Sequence, residues 1–180
     1  CGTVRAGGVI TTPAEVKAPP FWAVYVGTPK LEETAAHITR LGGHTHTPVI
    51  EVPGVGRMQL MMDPQGAAFY IFEPSGEQAP EHAPEVGDGS WHELMTTDAP
   101  AAMTFYQQVF GWQPSQAMDM GPMGTYQMFD RPVGMIGGMM NKPPEMANVP
   151  PNWQIYFLVP DVHAAADRIK ANGGPIVNGP

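Results

Sequence analysis

The sequence predicts an α+β protein assembled from tandem copies of one β-α-β-β-β module. Residues 20–26 (PFWAVYV) are matched by residues 151–157 (PNWQIYF). Each segment is followed by an amphipathic stretch and then by a glycine pair, Gly42-Gly43 or Gly173-Gly174. A third, partial copy begins at Trp91. Repetition on this scale indicates that one supersecondary unit has been copied, and copies that pair can enclose a concave sheet.

The first complete module is predicted at residues 21–74, after residues 1–20, which resemble the tail of a preceding module. Residues 22–26 are aromatic and β-branched, which predicts a strand. Apolar residues at helical spacing between Leu31 and Leu41 predict a helix that ends at Gly42-Gly43. Three further strands are predicted at residues 45–51, 57–62 and 67–72, with turns between them marked by Pro and Gly.

The second complete module is predicted at residues 89–142, after a polar, proline-containing linker at residues 75–88. Its first strand is residues 91–95, and Asp98 and Pro100 predict the start of a helix that Gly111 ends. Strands are predicted within residues 118–129 and at 133–140. Residues 143–180 are predicted to be a linker and the first half of a further module: a strand at 153–159, a helix at 162–172 and the start of another strand.

Composition excludes several classes of function. The net charge of −8 argues against binding to nucleic acid or to an anionic membrane surface. No apolar run approaches the roughly 20 residues of a membrane-spanning helix. The single cysteine, Cys1, allows neither an internal disulfide nor a cysteine metal cage. We expect a cytoplasmic location. We also expect a longer native chain, because the last copy of the module stops before its later strands.

Several motifs resemble a known superfamily. Residues 91–98 (WHELMTTD) with the later FY and FGW motifs, and residues 52–57 (VPGVGR) with DPQGA, are similar to the two-domain, glyoxalase-like branch of the vicinal oxygen chelate superfamily. This superfamily includes glyoxalase I, bleomycin-resistance proteins and extradiol dioxygenases. The resemblance implies curved, mostly antiparallel sheets and four modules in one chain. It implies the fold more firmly than any one reaction, because its members' activities are diverse.

The resemblance also implies where a metal would bind. Metal-using members carry a His, Gln or Glu on the first strand, seven residues before the acid that caps the helix, and a Glu seven residues after the turn aspartate. Here these positions hold Ala23, Trp91, Gln154 and Tyr70. Only Gln154 could coordinate a metal, although a shift of one residue would add His92. We therefore expect no cofactor, with a divalent metal at His92 and Gln154 as the alternative.

A ligand-binding surface is predicted instead on one face of the strands. Side chains alternate between the two faces of a strand, so Trp91, Glu93 and Met95 share one face. Aromatic, Met and amide side chains around a single carboxylate are typical of sites for small organic ligands. Neighbouring strands are predicted to supply Tyr25, Tyr70, Tyr126, Gln154 and Tyr156.

Glu93 is the candidate catalytic residue. A carboxylate in a largely apolar strand must be paired, hydrated in a cavity, or raised in pKa. It could act as a general base or accept a cationic ligand. Equally, it could form a structural salt bridge with Arg57 or Arg131, or lie exposed at a sheet edge.

Three functions remain open at this point. The first is a glyoxalase-like protein that binds a small organic ligand without metal. The second is a metal-dependent lyase, isomerase or dioxygenase acting on substrates with vicinal oxygens. The third is a structural dimer without a ligand. A homodimer or paired modules are expected in any case, because an incomplete module leaves a strand edge that can recruit a partner.

Overall fold

The computed structural model describes residues 8–9, 11, 20–76, 82–131 and 134–179. They form two five-stranded sheets with three α-helices. Two 3-10 helices, at Gly121–Met123 and Pro144–Met146, lie in the connections. In chain order the strands and helices are β1 (Tyr25–Gly27), α1 (Leu31–Arg40), β2 (His44–Thr45), β3 (Ile50–Val52), β4 (Gly56–Met62), β5 (Ala68–Pro74), β6 (Gly89–Thr96), α2 (Ala99–Phe110), β7 (Gln113–Asp119), β8 (Thr125–Arg131), β9 (Gly134–Asn141), β10 (Asn152–Phe157) and α3 (Val162–Ala171).

Within each sheet, the strands of the complete module follow a similar order. The first has the order β1-β5-β4-β2, with β3 also paired to β4. The second has the order β10-β6-β9-β8-β7. In each, the first strand of the module runs parallel to its last strand, and all other pairs are antiparallel. This confirms the predicted α+β fold of tandem modules in curved, mostly antiparallel sheets.

The last module contributes to the second sheet through β10. This strand runs antiparallel to β6, with Gln154 opposite Glu93. Strand β1 lies at one edge of the first sheet, and β10 lies at one edge of the second. The predicted homodimer, which depends on such edges, and the predicted module boundaries both stay predictions. No helix in the described part of the chain is long and apolar enough to cross a membrane.

Four predicted elements differ from the structure. The first strand begins at Tyr25 rather than at residue 22. The predicted strand at 45–51 is two short strands, since Pro48 between them has no N–H to donate to a ladder. Strand β7 begins at Gln113, ahead of the predicted 118, because it is mostly exposed and has no apolar face to mark it. No strand follows α3 as far as residue 179. The predictions for residues 1–7, 10, 12–19 and 77–81 lie outside the described residues.

Aspartate side chains cap two of the three helices in the described part of the chain, and the cap at Asp98 is the one predicted above. The Asp98 carboxylate accepts a hydrogen bond from the Ala101 N–H at 3.0 Å, and α2 ends at Gly111, whose φ of 73° favours glycine. Asp161 caps α3 in the same way. Helix α1 has no cap of its own. Glu73 of β5 accepts from the Leu31 N–H at 2.8 Å instead, which fixes the helix to the sheet.

One hydrophobic core joins all three modules, and Tyr106 of α2 lies at its centre. This side chain is fully buried. Its hydroxyl donates to Oδ2 of Asp63 at 3.0 Å and accepts from Nε1 of Trp153 at 3.0 Å. Burial raises the pKa of Tyr106 well above its usual value, so the hydroxyl keeps its proton as a donor. The first sheet, α2 and β10 are therefore held by one phenol.

We expect Tyr106→Phe to destabilise the protein by about 1–3 kcal/mol, because Asp63 and Trp153 would each lose a buried hydrogen-bond partner. The free energy of unfolding in urea measures the effect. Tyr70→Phe is the matched control, since the Tyr70 hydroxyl makes no hydrogen bond within the described residues and its ring stacks on Tyr25. Equal stability of the two variants would contradict a structural role for the Tyr106 hydroxyl.

Candidate functional site

Glu93 of β6 is buried and held by two tyrosines. Its side chain and backbone together are 9% exposed. The Tyr126 hydroxyl donates to Oε2 at 2.9 Å, and the Tyr156 hydroxyl donates to Oε1 at 3.0 Å. The Trp91 indole N–H in turn donates to the Tyr126 hydroxyl at 2.7 Å. These four residues form a continuous hydrogen-bonded cluster, which we call the Glu93 cluster.

The cluster lies on the side of the second sheet that faces away from the helices. Leu94 pairs in register with Met139 and Trp153, and all three are buried in the core. Glu93, one residue earlier, therefore points to the opposite face. That face remains open in the described structure, with Tyr156 46% exposed.

Gly138 of β9 allows Tyr126 to reach Glu93. Glu93 and Gly138 are register partners on adjacent strands. A Cβ built on Gly138 would lie 2.2 Å from Cε1 of Tyr126, so the tyrosine ring occupies the space above this glycine. Sequence reasoning missed Gly138, although a glycine inside a strand is itself a signal that another group approaches closely.

Both tyrosines of the cluster keep their protons. Partial burial, and then the negative charge of Glu93, raise the pKa of Tyr156 to about 12. Burial is also the largest cause that raises the pKa of Tyr126 well above its usual value. Near neutral pH, both phenols are therefore neutral donors to the carboxylate.

The other predicted ligand-binding residues fall into two groups. Gln154 lies directly across from Glu93, and Met95 lies two residues along the same strand, so both belong to the same face. Tyr25 and Tyr70 lie on the first sheet, where they are register partners and their rings stack at 4.7 Å. They form a separate pair, with no hydrogen bond to the Glu93 cluster.

The salt bridge proposed for Glu93 does not form. Among the described residues, Glu93 makes no ion pair. Arg57 instead binds Glu32 and Glu73 beside α1. Arg131 lines a cavity of about 360 Å³ near the start of β6, together with His92. A second cavity, of about 220 Å³, lies beside Arg57.

The residues at the expected metal positions do not fit a divalent ion. Trp91 can only donate a hydrogen bond, and it does so to Tyr126. Tyr70 stacks on Tyr25, and His92 binds the Ile136 carbonyl through Nδ1 at 3.1 Å. The described residues contain no group of three or more His, Cys, Asp or Glu side chains that could hold a metal. Gln154 alone is a weak ligand, so we assign no chemistry to a metal here.

The two sheets of β-α-β-β-β topology, with polar side chains on the face opposite the helices, define a protein of tandem modules. A family model described as the Glyoxalase/Bleomycin resistance protein/Dioxygenase superfamily matches residues 90–180. The chain belongs to this superfamily, which confirms the resemblance in its motifs.

Relatives and solved structures support the same assignment. The chain is 29% identical over 162 residues to "Putative glyoxylase CFP32" of Mycobacterium tuberculosis, covering 90% of this chain and 61% of that protein. It is 30% identical over 166 residues to the anthracycline biosynthesis protein DauV of Streptomyces sp. strain C5, covering 90% of this chain and 58% of that protein. The chain thus spans about three fifths of the length of these relatives.

Among solved structures, the chain resembles 2,2',3-trihydroxybiphenyl 1,2-dioxygenase from Sphingomonas wittichii strain RW1. The TM-score is 0.58 at 11% identity, and the match covers 85% of this chain and 58% of that one. At this identity the likeness concerns the fold alone.

We expect Gly138→Ala to displace the Tyr126 ring and break its hydrogen bonds to Trp91 and Glu93. The indole N–H resonance of Trp91 in a nitrogen–proton correlation spectrum should then move upfield, because its acceptor has left. Gly27→Ala is the matched control, since a Cβ there meets no atom within 4 Å. An unchanged Trp91 resonance in Gly138→Ala would contradict the proposed close contact.

We expect Tyr156 to make stability pH-dependent in the alkaline range. An unfolded tyrosine ionises near pH 10, whereas folded Tyr156 has a pKa of about 12. Between these values the unfolded chain binds fewer protons, so the free energy of unfolding falls as pH rises from about 10 through about 12. Urea unfolding across this range should show a shallower fall for Tyr156→Phe than for the wild type. Tyr70→Phe is the control, and an equal fall in all three proteins would contradict the effect.

Proposed function

We propose that this protein binds a small organic ligand on the face that carries the Glu93 cluster. The ligand is held by side chains rather than by a metal. The observation that supports this most strongly is the buried carboxylate fixed by two neutral phenols on a face that also carries Trp91. Sites for small molecules typically combine such apolar surfaces with a few precisely placed polar groups.

Each part of the face has a role in this proposal. The rings of Trp91, Tyr126 and Tyr156 offer apolar contact area with polar tips. Each carboxylate oxygen of Glu93 accepts one hydrogen bond and keeps capacity for another. Gln154, across from Glu93, adds an amide that can donate and accept. A ligand with an aromatic body and a hydrogen-bond donor matches this arrangement.

Glu93 acts in this proposal as a fixed acceptor. Two hydrogen bonds hold its carboxylate in one orientation, so it can accept a donor of the ligand without first being ordered. The alternative of a metal-dependent lyase, isomerase or dioxygenase needs ligands at positions where this chain carries Trp91 and Tyr70. The superfamily contains both binding proteins and enzymes. The experiment below therefore tests whether this protein binds a ligand without a metal.

We expect 2-phenylethanol to bind and to shift the Trp91 indole resonance, with no loss of affinity after dialysis against a chelator. Glu93→Gln and Tyr126→Phe should weaken binding, because each removes part of the hydrogen-bonded cluster. Tyr70→Phe, on the other sheet, should bind as the wild type does. A requirement for stoichiometric Zn, Ni, Mn or Fe, measured by elemental analysis, would contradict metal-free binding. Absence of binding by 2-phenylethanol and a panel of similar aromatic alcohols would contradict a ligand site at this face.

A further inference from the structure

We infer, on the basis of the proposed function, that the ligand is a cation: a small aromatic amine whose ammonium group lies against Glu93. The starting point is a charge that no residue in the described ranges neutralises. Glu93 is buried, and its two hydrogen-bond donors are neutral phenols. Within the described ranges, no Lys, Arg or His forms an ion pair with it.

An uncompensated carboxylate in such surroundings is costly. Removing an ionised group from water is unfavourable unless it is paired as well as hydrogen-bonded. The phenols offset part of this cost, but they bring no positive charge. A bound ammonium group would supply the missing charge. A neutral ligand would leave the carboxylate unpaired and remove more of its water, and an anionic ligand would add repulsion.

The hydrogen-bonding capacity around Glu93 matches an ammonium group. A primary ammonium has three N–H donors and no acceptor. Each Glu93 oxygen can accept one further hydrogen bond, and the side-chain oxygen of Gln154 on the neighbouring strand can accept a third. Three acceptors are thus available for the three N–H donors of the ammonium group.

The overall charge of the protein favours the same kind of ligand. Tyr126 and Tyr156 donate to Glu93, and Trp91 donates to Tyr126, so the groups that surround the carboxylate are neutral. The net charge of −8 acts in the same direction at long range, since it attracts cations to the protein.

The experiment compares three ligands of similar shape: 2-phenylethylamine, 2-phenylethanol and 3-phenylpropanoate. Affinities come from titrations that follow the Trp91 indole resonance. We expect the amine to bind about tenfold or more tightly than the alcohol, as a charge-assisted hydrogen bond allows. The carboxylate should bind most weakly. Added NaCl should weaken the amine and leave the alcohol unchanged, which tests the charge in the wild-type protein without any variant.

Glu93→Gln should bring the amine-to-alcohol ratio of affinities close to one. Glu145→Gln is the matched control, because it makes the same change of charge at an exposed position in another part of the fold. Its ratio should equal that of the wild type. If the amine and alcohol bind equally well to the wild type, or if Glu93→Gln keeps the preference, a cationic ligand is ruled out while the proposed site stands. If none of the three compounds binds, the site itself is wrong.

Discussion

The structure depends on the buried hydroxyl of Tyr106. It joins Asp63, in the turn between β4 and β5, to Trp153 of β10, and it does so from α2. Asp63 is also fixed by the N–H groups of Gln65 and Ala67 in its own turn. The arrangement of the three modules therefore depends on this hydroxyl and on the rings packed around it. Because β10 is anchored on its core side by Trp153, its opposite side can present Gln154 and Tyr156 at fixed positions.

Because side chains alternate along β6, its two faces have different roles. Leu94 and Thr96 are fully buried beneath the helices, and Trp91 and Glu93 point to the open face. The core residues hold the strand in register, so the polar residues gain a defined position. The superfamily's shared scaffold can thus keep its core and change the chemistry of its face. In this chain, two of the four positions that could carry metal ligands carry rings: Trp91 donates a hydrogen bond to Tyr126, and Tyr70 stacks on Tyr25.

Sequence patterns were sufficient for the fold because its signals are local. Asp98 and Gly111 mark the two ends of a helix, and repeated segments reveal the modules. The partners of Glu93 were harder to identify, since Tyr126 is 33 residues away and Tyr156 is 63 residues away. Alternation placed all three in a candidate surface, but only strand register decides which side chains touch. The same limit explains why Tyr25 and Tyr70, predicted for that surface, stack with each other on the first sheet. Gly138 was missed because its role is to leave space: without a side chain, it lets the Tyr126 ring lie above it.

The choice of tyrosine as the partner of Glu93 has a further physical consequence. An arginine would neutralise the carboxylate and occupy its acceptors in pairs. Two phenols fix its orientation while leaving its charge and half of its acceptor capacity available. The orientation is set before any ligand arrives, so a ligand does not have to pay the entropy of ordering this side chain. A carboxylate that is rigid, charged and only partly satisfied is therefore suited to recognising a partner, whereas a fully paired one would serve only to hold the strands together.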